Sequence, residues 1–263
     1  MTPQTYRTSD VAAAAGVHPN TVRRYEAWGL LSSIPRTPSG YRIFTQDHID
    51  QMCLARQALQ WPYPGGKEPV LELVRQAAQG AFGRAMELSH QVLANVRAER
   101  ASAEAAVTFL EKWATGQPIA DTAEPMRIGH AAQTLRVTTD QLRNWDRNGL
   151  LDVPRDPRNG YRLYGATELG RARVIHVLCQ AGYSVMAILR MVLALDTGQE
   201  SDLRAALDSP PPEEDAGNVA DRWLSTLAVE EQRALDVIAM LQASIARSSR
   251  ESLDDDNAPH SDP

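Results

Sequence analysis

The hydrophobic pattern changes period in the same way twice along the chain, over residues 5–45 and again over residues 125–165. Each region begins with a short alanine-rich segment, makes a turn, and continues into a second segment with apolar positions one helical turn apart. This pattern predicts two short helices. In the first region the turn lies at Gly16-Val17, and Gly29 ends the second helix because a residue there needs positive φ. Two helices joined by a tight turn predict a helix-turn-helix in each region.

An alternating segment follows each predicted helix-turn-helix, after an irregular stretch rich in proline and arginine. It reads YRIF at residues 41–44 and YRLY at residues 161–164. Alternation of apolar and polar residues with period two predicts a β-hairpin, with its turn at Ser39-Gly40 and at Asn159-Gly160. A hairpin directly after a helix-turn-helix is a wing. The pattern therefore predicts two winged helix-turn-helix domains.

The two regions are copies of one another. Residues 5–45 align with residues 125–165 without a gap, and they share many Gly, Tyr and Arg positions. The identical pairs include Arg7/Arg127, Ala12/Ala132, Val17/Val137, Arg23/Arg143, Gly29/Gly149, Leu30/Leu150, Leu31/Leu151, Gly40/Gly160, Tyr41/Tyr161 and Arg42/Arg162. A match of this length and kind indicates a duplicated domain.

Heptad spacing of apolar residues predicts two longer helices, at residues 80–113 and 219–247. Their apolar seams are narrow, which is typical of a two-helix coiled coil. The alternative is that each is an amphipathic helix packed on its own domain. Both interpretations stay open at this point.

The fold class predicted from these elements is mainly α, with two winged helix-turn-helix domains, each followed by a long coiled-coil-type helix. We expect seven segments along the chain. They are a first winged domain at 5–79, a coiled-coil or dimerisation-type helix at 80–115, a linker at 116–124, a second winged domain at 125–197, an acidic Pro-rich linker at 198–218, a second coiled-coil-type helix at 219–247 and a disordered acidic tail at 248–263.

The distribution of charge is more informative than its sum. The formal net charge of the chain is -6. Residues 1–45 nevertheless hold five arginines against two acids, and residues 125–165 hold seven arginines against four acids. The acidity is concentrated in residues 196–263, with five arginines against sixteen acids. The repeated regions are therefore locally basic, as expected of surfaces that bind nucleic acid.

The remaining composition excludes several classes of protein. The richest apolar run, Ser184 to Leu195, is too short to span a bilayer and is broken by Arg190. The N-terminal residues show no export signal, so we expect a cytoplasmic, nucleoid-associated protein. Cys53 and Cys179 are single and distant, and the histidines lack metal-ligand spacing. Motifs typical of hydrolases and nucleotide-binding enzymes do not occur, so we expect neither an enzyme nor a cofactor.

Taken together, the motifs resemble the MerR family of bacterial transcription regulators. They are R-x-Y-E-x-x-G-L-L from Arg23, then P-R, then G-Y-R followed by a hydrophobic and an aromatic residue. The second copy resembles the family further, through GYRLYGATELGRARVIHVLCQAGYSVMAI. The resemblance covers residues 5–78 and 125–196.

The resemblance implies a function in transcription. Members of this family usually carry one DNA-binding domain per chain and dimerise through an antiparallel helix. They bind a pseudo-palindrome in promoter DNA, and by bending and untwisting it they bring the promoter elements into register for RNA polymerase. This chain differs in having two domains. It could form an intramolecular pseudo-dimer through helices 80–113 and 219–247, or a homodimer through the same helices.

The candidate DNA-binding residues lie on the second helix and the wing of each copy. In the first copy they are Asn20, Thr21, Arg23, Arg24, Tyr25, Arg36, Tyr41 and Arg42. In the second copy they are Thr138, Thr139, Gln141, Arg143, Asn144, Trp145, Arg155, Arg158, Tyr161 and Arg162. The start of a recognition helix is the part that enters the major groove. Arginine there reads guanine and asparagine reads adenine, so Arg24 and Asn144 predict unlike half-sites.

Several of these residues also have a purely structural interpretation. Tyr25 and Trp145 could be core residues under the wing. Arg23 and Arg143 could form ion pairs with Glu26 and Asp146, three positions later on a solvated helix face.

Two rival functions remain. One is an architectural or excision-type protein that bends DNA without contacting polymerase. The other is a small-molecule-binding or interaction protein that reuses winged helices as a scaffold, with the acidic C-terminal part engaging a protein partner. A ligand pocket between the two units would be lined by Trp61, Trp113 or Trp223, and the alternative is that these tryptophans are ordinary core residues.

Overall fold

The computed structural model describes residues 4–60, 62–114, 124–197, 203–208 and 223–256, with side chains up to Arg250. It divides into two compact units. Unit 1 comprises Met1–Arg97 and Val229–Pro263, and unit 2 comprises Ala98–Ala228. The architecture is mainly α, which confirms the predicted fold class.

Helices form almost the whole of both units. Unit 1 contains α1 (Thr8–Ala15), α2 (Pro19–Ala27), α3 (Gln46–Ala58), α4 (Glu68–Ala78), the first half of α5 (Phe82–Ala114) and most of α11 (Trp223–Asp256). Unit 2 contains the second half of α5, then β1 (Met126–Arg127), α6 (Ile128–Leu135), α7 (Thr139–Arg147), β2 (Leu163–Tyr164), α8 (Ala166–Gln180), α9 (Val185–Asp196), α10 (Leu203–Asp208) and the start of α11. The long helices α5 and α11 thus each contribute to both units.

The tight turn between the two short helices has the same backbone geometry in both copies. Gly16 follows α1 with φ 61°, and Arg136 follows α6 with φ 57°. Both lie in the left-handed region, which disfavours residues with a Cβ. A Cβ on Gly16 would also lie 2.8 Å from Arg56 Nη1, whose guanidinium bonds to the Ala15 carbonyl. The first copy therefore requires glycine here, whereas the second accepts a strained arginine.

The wing is a short hairpin. Its second strand also pairs with the residues that precede the first helix of the domain. In unit 2, β1 and β2 are antiparallel, with Met126 opposite Tyr164 and Arg127 opposite Leu163. In unit 1, a bridge between Tyr6 and Phe44 takes the same place, with backbone N···O distances of 2.9 and 3.1 Å. This pairing fixes the wing to the start of the helix-turn-helix.

The gapless alignment is wrong within the wing. Arg36 bridges to Arg42 in the first copy, and Arg155 bridges to Arg162 in the second. Arg42 and Arg162 are 120 positions apart, but Arg36 and Arg155 are 119 apart. The second copy is one residue shorter before its Pro-Arg pair and one residue longer at the hairpin tip. The two changes cancel, so the sequence alignment does not reveal them.

Each unit has its own apolar core, and the long helices complete both. In unit 1, Leu30, Leu54 and Leu73 pack with Val237 and Leu241 of α11. A second cluster in unit 1 lies within the helix-turn-helix, around Val11, Val22, Phe44 and Met52. In unit 2, Leu142, Leu150, Tyr164 and Ile175 share a core with Ala103, Val107 and Leu110 of α5 and with Leu227 of α11.

The helices α5 and α11 pack antiparallel within unit 1. Leu93 forms a small apolar cluster with Ala234 and Ile238, and one turn further along α5 the Arg97 Nε lies 2.8 Å from Glu231 Oε1. As residue numbers increase along α5, the residues of α11 that they contact decrease in number, so the two helices run in opposite directions. The first half of α5 also packs on its own domain, through Phe82 and Ala85. The first half of α5 thus packs both against α11 and against its own domain.

Two segments are more ordered than the sequence predicts. The expected acidic linker at 198–218 contains α10, because Leu203 and Leu207 lie one turn apart and are both buried. The expected disordered tail at 248–263 begins as helix, since no Gly or Pro occurs in residues 248–256 and α11 continues to Asp256. The rest of both segments lies outside the described residues, as do most of the expected linker at 116–124 and Trp61. The ranges not described are 1–3, 115–123, 198–202, 209–222 and 257–263.

We predict that removing one hydroxyl stabilises unit 2. Tyr164 is fully buried, and its hydroxyl has no hydrogen-bond partner among the described residues. The first copy has Phe44 at this position, also fully buried. A buried unpaired hydroxyl costs about 1–3 kcal/mol, so Tyr164→Phe should raise the free energy of unfolding by about 1 kcal/mol. Denaturant titration would measure this, with Phe44→Tyr as the reciprocal variant. A loss of stability in Tyr164→Phe would contradict the assignment.

Candidate nucleic-acid interface

The second helix of each helix-turn-helix, α2 or α7, has a well-defined start. In α2, Pro19 occupies the first helical position and the Asn20 N–H donates to His18 Nδ1 at 3.2 Å. In α7, Thr138 and Gln141 form a capping box, with bonds of 3.1 and 2.8 Å between each side chain and the other residue's N–H. Thr138 and Gln141, both predicted to contact DNA, therefore use their side chains to cap the start of α7.

The candidate residues differ in exposure. Those that are exposed are Asn20, Arg23, Arg24, Arg36, Tyr41, Thr138, Gln141, Arg143, Asn144, Arg155, Arg158 and Tyr161. Those that are half-buried are Thr21, Tyr25, Arg42, Thr139 and Arg162. Among them Tyr41 and Tyr161 stand out, because their large aromatic side chains are 74% and 57% exposed at the wing.

Trp145 does not fit the predicted role in DNA contact. Its side chain is only 5% exposed and belongs to the core of unit 2, with its ring 6.3 Å from that of His176. The structural interpretation is therefore correct for Trp145. Tyr25 is intermediate, because it packs against the cores of unit 1 and stacks on Trp28 at 6.0 Å. Burial raises the pKa of the Tyr25 hydroxyl, so it stays protonated and able to donate.

The first arginine of each helix pairs towards the helix start. Arg23 Nη1 donates to Asn20 Oδ1 at 2.7 Å, and Arg143 Nη1 lies 2.7 Å from Asp140 Oδ1. The alternative pairing, with Glu26 and Asp146 three positions later, is not observed. Those two acids bind the wing instead.

An ion pair joins each wing to its second helix. Arg42 Nε lies 2.7 Å from Glu26 Oε2, and Arg162 Nε lies 2.7 Å from Asp146 Oδ2. The four side chains are only 17–25% exposed. Arg42 and Arg162 were expected to contact the DNA backbone, but their guanidinium groups are engaged within the domain. In this structure they join the wing to the second helix of the helix-turn-helix.

The other wing arginines stabilise the hairpin tip. Arg36 Nη1 donates to the Gly40 carbonyl at 3.4 Å, and Arg155 Nη1 donates to the Gly160 carbonyl at 3.3 Å. The longer second tip is further stabilised by Asp156, which accepts from the Arg158 backbone N–H at 2.9 Å. The Arg158 side chain remains exposed. It extends the basic surface of the second wing beyond that of the first.

Three exposed residues belong to these surfaces although the sequence analysis did not select them. Trp28 is 54% exposed at the end of α2, and the Arg24 guanidinium lies 5.3 Å from its ring centroid. Arg127 lies 5.0 Å from the ring centroid of Tyr161. Asp140 sits at the start of α7 with an 87% exposed side chain. Helical spacing from Arg24 and Arg143 would have revealed Trp28 and Asp140, since residues three or four apart share a helix face.

The described residues offer little for other chemistry. No group of three or more His, Cys, Asp or Glu side chains among them could hold a metal ion. Burial raises the pKa of both thiols, with Asp50 adding to the effect at Cys53. A raised thiol pKa leaves less of the reactive thiolate. No helix in the described part of the chain is both long enough and apolar enough to cross a membrane.

Two depressions in unit 1 lie away from its second helix and wing. The first, between Tyr63, Val92 and Val237, has a cavity volume of about 30 Å³, roughly the space of one water. The second lies between α3, α4 and α11 and measures about 320 Å³. Within it, Asp50 forms an ion pair with Arg247, and His48 Nδ1 accepts a hydrogen bond from the Thr45 N–H at the start of α3. Neither resembles a preformed apolar ligand pocket.

Comparison with known proteins identifies the two repeated regions. Residues 6–61 and 126–195 match the family described as MerR HTH family regulatory protein. The chain is 42% identical over 52 residues to the HTH-type transcriptional regulator CueR of Escherichia coli O157:H7 and of Salmonella typhi, which is 20% of this chain and 38% of each relative. The CueR of Yersinia pestis is 42% identical over 52 residues, 20% of this chain and 37% of that protein. The chain thus spans well under half the length of these relatives, and no solved structure matches it significantly.

We predict that the wing ion pair stabilises unit 1 more than a surface ion pair does. Glu26→Gln removes the charge that neutralises half-buried Arg42, and it should lower the free energy of unfolding by about 1–2 kcal/mol. Glu87→Gln is the matched control, because its pair with Arg84 at 2.8 Å is well exposed, at 59% and 69%. Such a pair contributes less than about 0.5 kcal/mol. Equal losses in denaturant titrations of the two variants would contradict the predicted role.

Proposed function

We propose that this chain, two regions of which match the MerR HTH family of regulatory proteins, is a sequence-specific DNA-binding transcription regulator of that family. We further propose that it docks two non-identical recognition helices, α2 and α7, on one pseudo-palindromic promoter site and distorts the DNA there. The observation that carries the proposal is the repeated arrangement in both domains. Each has a capped helix with exposed Arg23 and Arg24, or Arg143, and a wing fixed to that helix by an ion pair.

The charge distribution supports DNA as the partner. Most arginines of the two repeated regions lie in the recognition helices and wings, and most of them are exposed. Phosphate contacts by such residues supply affinity and fix the register, whereas base contacts supply specificity. Phosphate contact suits Tyr41, Tyr161 and Arg158 at the wings. Base contact suits Arg24 and Asn144 on the recognition helices.

The two recognition helices differ where bases would be read. Arg24 carries a fork of donors that suits guanine, and a good bidentate contact contributes roughly 1–3 kcal/mol of discrimination. Its counterpart Asn144 suits adenine, and Asn144 Oδ1 accepts a bond of 3.1 Å from Asn148. The position of Trp28 in the first domain is taken by Asn148 in the second. The proposal is therefore of one site with two unlike halves.

We propose that one chain supplies both halves as an intramolecular pseudo-dimer. In support, α5 begins in unit 1 and ends in unit 2, whereas α11 begins in unit 2 and ends in unit 1. Within unit 1 the two helices pack antiparallel, through Leu93, Ala234 and Ile238. A homodimer through the same helices is the alternative. The further proposals, a contact with RNA polymerase and a nucleoid-associated cytoplasmic location, rest on the family alone.

Genomic footprinting of the full chain is the experiment that tests the function. It gives the bound site, the spacing of its halves and the neighbouring promoter together. The absence of any enriched duplex would overturn the proposal. Run-off transcription on the recovered site then separates a regulator from an architectural or excision-type protein, since only a regulator changes transcript yield.

We predict that each recognition helix controls one half-site. Arg24→Ala should relax base preference in one half by about 1–3 kcal/mol, and Asn144→Ala should do so in the other. Arg84→Ala on α5 is the control, because Arg84 is exposed but outside both domains' recognition surfaces. Binding to selected duplexes over a salt series measures the effect, and the wild-type slope should be near -0.9 per neutralised phosphate. The division of roles is wrong if both variants weaken the same half.

We predict that the free protein sediments as a monomer of 28.9 kDa. The reason is that, within unit 1, the partner of α5 is α11 of the same chain. Analytical ultracentrifugation over a concentration series checks this. A tight species near twice that mass would favour the homodimer instead.

A further inference from the structure

One position at the start of each recognition helix carries a different functional group in the two domains. It is Asn20 in α2 and Asp140 in α7, and each is the second residue of its helix. The arginine three residues later holds both side chains in the same way, at 2.7 Å from Oδ1. Asn20 and Asp140 therefore occupy the same helix position and contact the same type of partner. They differ only in that Asn20 carries an amide and Asp140 a carboxylate.

The arginine determines which atoms each side chain offers to another molecule. A guanidinium has donors only, so it takes the carbonyl oxygen of Asn20 and leaves the amide nitrogen Nδ2, which donates hydrogen bonds. In Asp140 the same contact engages Oδ1 and leaves Oδ2, which only accepts. The two helix starts thus offer opposite hydrogen-bonding polarity.

Asp140 lies among the candidate DNA-contacting residues of its helix. It lines one shallow surface depression together with Arg143, Asn144 and Arg147. Its side chain is 87% exposed, and the N-terminal residues of a recognition helix are the ones that reach base edges in the major groove. A carboxylate is repelled by phosphate, because both are negative. A base edge is therefore the part of DNA that Asp140 suits.

We infer, resting on the DNA-binding function proposed above, that Asp140 selects cytosine in the half-site of the second domain. Cytosine presents only its N4 amino donor in the major groove, whereas guanine and thymine present acceptors there and adenine places its N7 acceptor beside its amino group. Carboxylates accept from cytosine N4 and are repelled by those acceptors. Asn20 selects the opposite at the matching position of the first half-site, a base with an acceptor edge.

A structural role for Asp140 makes a different prediction. A carboxylate in the first turn stabilises a helix through the macrodipole, and so does its ion pair with Arg143. Neither of these stabilising effects depends on which base lies nearby. A purely structural Asp140 would therefore affect helix stability without affecting base preference, whereas a base-reading Asp140 affects base preference.

The test is selection of bound duplexes from a randomised library by the full chain. The proteins compared are the wild type, Asp140→Asn, Asn20→Asp and the double variant. We expect Asp140→Asn to lose preference for cytosine at one position by about tenfold. Asn20→Asp should gain a cytosine preference at the matching position of the other half, and the double variant should exchange the two preferences.

Asp152→Asn is the control for charge, because Asp152 is an exposed acid of the same domain outside the recognition helix. It should change overall affinity and salt dependence without changing any base preference. The inference is overturned if the wild type selects a defined motif and Asp140→Asn alters affinity alone, as the control does. If the wild type selects no motif at all, the proposed function itself fails, and the two failures are thus distinguishable.

Discussion

The core of each unit is completed by a helix from the other half of the sequence. Val237 and Leu241 of α11 are buried among residues of the N-terminal domain, and Val107 and Leu110 of α5 are buried in the unit that holds the second domain. A winged helix-turn-helix of this size buries little apolar surface by itself. The long helices therefore add buried apolar surface to a cluster in each unit, whereas the cluster around Val22 and Phe44 lies wholly within the first winged domain.

This exchange of helices gives the duplication a physical meaning. In unit 1, α11 covers apolar residues of α5 and of the first domain from within the same chain. A contact within one chain carries no cost of association between molecules. The copies are then free to diverge, because each surface is encoded separately. Arg24 against Asn144 and Asn20 against Asp140 are changes that a symmetric homodimer could not make independently in its two halves.

Within each domain, the wing ion pair positions the recognition surface. Glu26 and Asp146 lie on the recognition helix, and Arg42 and Arg162 lie on the wing, so the pairs connect the two elements that would meet DNA. These pairs also explain why the same residue types recur in both copies. Recurrence alone does not distinguish a residue that touches DNA from one that holds its neighbour in place. The buried Trp145 shows the same ambiguity.

The sequence by itself determined the duplication, the helix-turn-helix and wing in each copy, and the existence of the two long helices. These depend on local signals, namely glycine at positive φ, period-two alternation and heptad spacing. Only the tertiary structure decided which side chains face solvent and which partners they take. Burial of Trp145, the compensated shift in the wing and the joint use of α5 and α11 by both units all depend on contacts between residues distant in sequence. Local patterns do not encode such contacts, because one amphipathic face can pack against several partners.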